Sequence, residues 1–178
     1  MNGALVDAGI STPKEWTRAA LTRNGFAGWI RWSDCPAGLS AIDRASGGVY
    51  LIFRDVQLEP AFLERSPAGV FRGDPTVIRA ALDANWVPQA SVVYIGKAAH
   101  CRLRTRLEEF IDFGRGGKRR HWGGRLIWQL EGAEDLLVAW RVLAHLARPE
   151  EEEVRLIAAF KSAYGKRPFA NNPDRLGD

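Results

Sequence analysis

Residues 92–107, VVYIGKAAHCRLRTRL, decide how the rest of the chain is read. Val92, Val93, Tyr94 and Ile95 form a short β-branched and aromatic run stopped by Gly96, the pattern of a buried strand. Lys97 follows at once, and Arg102, Arg104 and Arg106 then recur in a stretch, 100–112, that reads as a helix. A core strand has no use for those cations, whereas a surface that grips a phosphate does. Arg104 and Arg106 are two apart, so on a helix they face roughly opposite ways and only one can face the sheet.

The charge around this stretch is concentrated. The whole chain of 178 residues carries a formal +4, from 25 Lys and Arg against 21 Asp and Glu. Between Lys97 and Arg125 nine Lys and Arg stand against three acidic residues, Glu108, Glu109 and Asp112. Within that segment GRGGKRRHWGG, 114–124, reads as a glycine-rich basic loop. It lacks the Gly-Lys-Ser or Gly-Lys-Thr ending that cradles a nucleotide and fits a polyanion backbone better. Arg102, Arg104, Arg115, Lys118, Arg119, Arg120, His121 and Arg125 are the expected nucleic-acid-binding residues.

Working outward, GGVYLIF, 47–53, reads as another buried strand, preceding SVVYIG in the chain. RLIWQL, 125–130, reads as a third strand, giving the order strand, insertion, strand, helix, strand, helix, helix. FAGWIRW, 26–32, fits a short strand or a packed loop. Residues 133–147 have apolar positions at helical spacing and read as a helix stopped by Pro149. Residues 149–165 form another, with Pro at its first position, acidic residues in its first turn and Gly at its end. A further helix is expected within 12–23, ended by Asn24-Gly25. The expectation is an α+β domain, a small three-stranded sheet flanked by helices, spanning 47–178. Residues 1–46 are expected as an N-terminal helical extension and 54–90 as an ordered insertion, because Phe62, Phe71, Leu82 and Trp86 need somewhere to bury.

Cys35 and Cys101 are too few for a disulfide framework, and with His100, His121 and His145 they form no zinc-ligand spacing. No secretory leader and no apolar run of membrane-spanning length is present, so a cytoplasmic protein with reduced thiols and no membrane partner is expected.

In the helix from Pro149, the apolar stripe is Leu156, Ile157 and Phe160, and Glu153 lies three and four residues before the first two. That spacing turns Glu153 inward, while Glu151 and Glu152 read as favourable charges at a helix N-terminus. An inward carboxylate requires a cation, a metal ion or hydrogen-bond donors beside it, and a salt bridge to one of the arginines would serve.

Gly48-Val49-Tyr50 and Tyr94-Ile95-Gly96 resemble the two name-giving tripeptides of the GIY-YIG nuclease superfamily. The resemblance runs over roughly 47–172. It continues through Lys97, the helical arginine, Glu153 with Leu156-Ile157, and Pro168 followed by Asn171. It implies a GIY-YIG-like fold and a metal-dependent endonuclease, a hydrolase of phosphodiester bonds in DNA. In that reading Tyr50 is the base for water, supported by Lys97 and Tyr94, and Arg106 holds the scissile phosphate, with Arg104 the alternative in a strict count from Gly96. Glu153 is the ligand of one magnesium or manganese ion, Mg2+ or Mn2+, and Asn171, or Asn172, shapes the site. The chain departs from the family pattern in the long stretch between the tripeptides and in Phe110, four residues after Arg106, where many relatives carry Tyr or His. Those departures motivate the alternative of a non-catalytic nucleic-acid-binding module on the same fold.

Overall fold

A computed structural model of the chain describes residues 12–35, 37–55 and 58–171. Its centre is an open, four-stranded antiparallel sheet with the order β1-β4-β2-β3. The strands are β1 (Ala27–Arg31), β2 (Gly48–Phe53), β3 (Val92–Ala98) and β4 (Leu137–Val142). The helices are α1 (Arg18–Arg23), α2 (Arg79–Asn85), α3 (Leu103–Gly114) and α4 (Pro149–Tyr164). The α+β class therefore holds, with four strands in place of three.

Two elements differ from expectation. Residues 125–129 form a buried 3-10 helix instead of a third strand, entered through Gly124 at φ +75°. Gln129 explains why. Its amide nitrogen donates to the carbonyls of Leu63 and Val77, and its side-chain oxygen accepts from the Val77 amide. A side chain spent on the insertion's backbone locks 125–130 beside the sheet, where Leu130 makes a single bridge to Phe62. The expected helix over 133–147 is instead β4, preceded by a 3-10 turn at Ala133–Asp135. β4 lies between β1 and β2 and is buried on both faces along Leu137–Arg141. A strand covered on both sides needs no alternation, so its apolar run matches helical spacing by coincidence.

The sheet separates two cores. Tyr50, Ile52 and Tyr94 face α3, packing with Leu103, Leu107 and Phe110. Val49, Leu51 and Ile95 face α4, packing with Leu156 and Phe160. Pro149 at the first position of α4 and Gly165 in the left-handed conformation after its end bound that helix as read.

The expected extension enters this body. β1 is a strand of the sheet, Trp16 meets Phe160 edge-on at 5.0 Å, and Trp32 packs on Trp128 at 4.3 Å. α1 is only six residues long and is capped by Thr17, whose hydroxyl accepts from the Ala20 amide. Among the described residues of 54–90, Leu82 is buried, and Phe62, Phe71 and Trp86 pack against the α3-side core.

Candidate active site

β2 and β3 pair antiparallel with Tyr50 opposite Gly96 and Ile52 opposite Tyr94. This register sets the two tyrosines diagonally on one face, with ring centroids 6.0 Å apart at 61°. Gly96 makes the arrangement possible. A Cβ there would stand 2.4 Å from Tyr50 Cζ and 2.6 Å from its hydroxyl oxygen. Tyr50 is 1% exposed. Burial above all holds its phenol well above its ordinary value, reinforced by Tyr94 through charge and a hydrogen bond; Glu153 acts in the same direction and Arg106 in the opposite one.

Around these phenols lies an open cleft of about 320 Å³ on the rim of the sheet. β3 supplies Lys97, α3 and its N-cap supply Arg106 and Arg102, and α4 supplies Glu150 and Glu153. Lys97 Nζ lies 2.9 Å from Glu153 Oε2, and the Glu153 side chain is 18% exposed. Glu153 thus turns inward as its spacing implies, and its cation is a lysine of β3, not an arginine.

Arg106 lines this cleft while Arg104 projects to the other side of α3, where it pairs with Glu108 at 3.0 Å. Glu109, which sequence reasoning passed over, orients the cationic wall. One of its oxygens takes Arg102 at 2.6 Å and the other takes Arg106 at 3.1 Å. The three-residue step from Arg106 to Glu109 was the available signal. Phe110 stacks on Tyr94 at 5.6 Å and 18°, so the position four after Arg106 is an apolar backing for the tyrosines.

Asn171 is not part of the cleft wall. Its side chain clamps the exposed edge of β3, accepting from the Ile95 amide at 2.8 Å and donating to the Ile95 carbonyl at 2.7 Å. Asn172 lies outside the described residues. Glu152 corrects the reading of the acidic run: it is buried, bonded to Arg141 of β4 and, at 2.8 Å, to Arg155.

The basic segment divides by role. Lys118, Arg119 and Arg120 are exposed on the loop after α3. Arg119 reaches Glu108, and Arg120 and Arg125 lie over the rings of Phe71 and Trp122. Arg115 donates to the carbonyls of Trp32 and Ser33, tying α3 to the N-terminal segment. His121 is the clear exception: it is 1% exposed, packed 4.7 Å from Phe110, and so cannot serve as a surface contact to nucleic acid.

No family model, curated protein or solved structure matches the chain. What the cleft can do rests on its own chemistry. Among the described residues no group of three or more His, Cys, Asp and Glu side chains converges as a metal-ligand cluster. The carboxylates of Glu153 and Glu150 in an open cleft suit a hard divalent ion that keeps most of its waters, which does not require such a cluster. Among the described residues no helix is long and apolar enough to cross a membrane.

Proposed function

We propose that the chain is a metal-dependent endonuclease hydrolysing phosphodiester bonds in DNA, in the manner of the GIY-YIG nucleases it resembles. The observation that carries this is the meeting of Tyr50, Tyr94, Lys97, Arg106 and Glu153, drawn from β2, β3, α3 and α4, in one cleft. Three cations, Lys97, Arg102 and Arg106, line it, which favours a polyanion's phosphate.

In hydrolysis a water oxygen bonds to phosphorus, the bond to one ester oxygen breaks, the attacking water's proton passes to a base, and the departing oxygen takes a proton from solvent water in the open cleft. Arg106, fixed by Glu109, faces the phosphate and offsets charge that builds on its oxygens. Tyr50 takes the proton from water once its own has left. Burial and the Tyr94 hydroxyl oppose that loss, and Arg106 favours it. A Mg2+ or Mn2+ ion at Glu153 would supply positive charge beside the leaving oxygen. Lys97 holds Glu153 in place and adds a second positive group. Two free cysteines, Cys35 buried and Cys101 exposed, agree with a reducing, cytoplasmic setting.

The test is nicking of supercoiled plasmid with Mg2+ or Mn2+. Wild type relaxes the plasmid, Glu153→Gln does not, and Arg106→Ala is slower by about 10²–10³-fold. Equal nicking by wild type and Glu153→Gln sinks the assignment. The phenol held neutral in Tyr50 favours the second reading, a binding module without turnover, which tight salt-sensitive binding with no nicking would establish.

A further inference from the structure

A second basic pocket, of about 330 Å³, lies beside the cleft and is not accounted for by the chemistry above. Lys161, Lys166 and Arg167 line it together with Asn85 and Asn171, and among the described residues no carboxylate does. The cleft differs in this respect, since Glu153 there answers Lys97.

Two rulers in the fold place the pocket on the same rim. Along α4, Lys161 follows Glu153 by eight residues, a rise of about 12 Å, and follows Glu150 by eleven, close to three full turns, so those two side chains share a face. Along β3, Asn171 is bonded to Ile95, two residues before Lys97, a step of about 7 Å. Adjacent phosphates of one strand lie about 6–7 Å apart along the backbone, more than their axial rise, so about 12 Å corresponds to roughly two nucleotides.

The far wall comes from the insertion. Lys166 Nζ donates to the Ala84 carbonyl at 3.2 Å, at the C-terminal end of α2, so this lysine anchors α2. The Asn85 side-chain nitrogen Nδ2 donates to the Ala81 carbonyl at 2.7 Å. Exposed Lys161 and half-buried Arg167 are the cations left facing the pocket.

The geometry points to a second backbone-phosphate site formed by Lys161 and Arg167, which holds a DNA strand about two nucleotides from the phosphate in the Tyr50 cleft. This rests on the DNA reading of that cleft. It gives the residue 54–90 insertion a function, since α2 walls the site. Phosphate contacts of this kind set register without reading bases.

The experiment measures anisotropy of a fluorescein-labelled 12-nucleotide DNA, as single strand and as duplex, in metal-free buffer over a salt series. Wild type is compared with Lys161→Ala/Arg167→Ala; Lys166 is kept so that α2 stays anchored, and unchanged thermal unfolding verifies this. Loss of two phosphate contacts lowers the slope of log K against log salt by about 1.4 for the single strand and 1.8 for the duplex. A dinucleotide, whose one internucleotide phosphate cannot reach both sites, loses less affinity on the double substitution than the 12-nucleotide DNA does. Identical slopes for the 12-nucleotide DNA, absence of salt-dependent binding by wild type, or displacement by polyglutamate as effective as by DNA would overturn the proposal. Plasmid nicking reads the other question separately. No nicking with the expected slope change removes hydrolysis and leaves this site standing, while nicking with identical slopes does the reverse.

Discussion

Gly96 carries no side chain because the Tyr50 ring occupies that volume. Gly96→Ala must push Tyr50 out of place and is expected to cost about 1–3 kcal/mol. Urea unfolding checks this, and unchanged stability would mean that the ring moves aside freely. Tyr50 also marks the alkaline limit of the fold. Its folded-state pKa lies above the unfolded value near 10, so above pH 10 the unfolded chain releases a proton that the folded chain keeps, and stability falls. Buried Cys35, pushed up to about 11, acts with the same sign from pH 9 upward in any variant that retains it. Tyr50→Phe should therefore flatten the decline above pH 10 relative to wild type, read as unfolding free energy against pH; an equal or steeper slope would refute the assignment. At this scale the sequence was informative where spacing constrained direction. The two-residue step between Arg104 and Arg106 required one of them to face away, and Leu156-Ile157 turned Glu153 inward. It was silent on Glu152, whose partner Arg141 lies on an element read as a helix.

That misreading shows where elements become illegible. LVAWRV has the same composition whether it forms a buried helix turn or a central strand, and its identity is set by β1 and β2 on either side. The β1 segment itself was ambiguous, so nothing in the chain announced that 137–142 had two strand neighbours. RLIWQL failed for the complementary reason, since Gln129 is committed to the backbone at Leu63 and Val77, residues distant in sequence. By contrast β2, β3, α3 and α4 were readable because glycines, an N-terminal proline and periodic apolar positions mark them locally. Asn171 belongs to this scale, as a clamp on a strand. Asn171→Ala leaves the Ile95 amide and carbonyl without their partner and is expected to cost about 1–3 kcal/mol. Hydrogen exchange at the Ile95 amide should quicken markedly; unchanged protection there would show that the edge is covered by other means.

At the scale of the molecule, Arg141 connects the layers. From β4 it bonds Glu152 of α4 and, at 3.0 Å, the Asn24 carbonyl at the end of α1, while Arg155 ties Glu152 to Thr12. Glu152→Leu leaves a buried guanidinium without its counter-charge and should destabilise by about 3–5 kcal/mol. Arg141→Leu/Glu152→Leu should recover much of that loss in equilibrium unfolding; a double variant as unstable as the single would show that packing, not charge, holds the layers. The sheet itself is open and has two rims. At β3 the rim is sealed by Asn171 and by the Ala170 amide donating to Val93. At β1 it is interrupted, with Gly28 at φ +93° and Trp29 at φ +52° breaking the register against β4. A sheet with one border closed and the other crooked offers no straight template for a neighbouring copy, which protects the chain against polymerising strand to strand in a crowded solution.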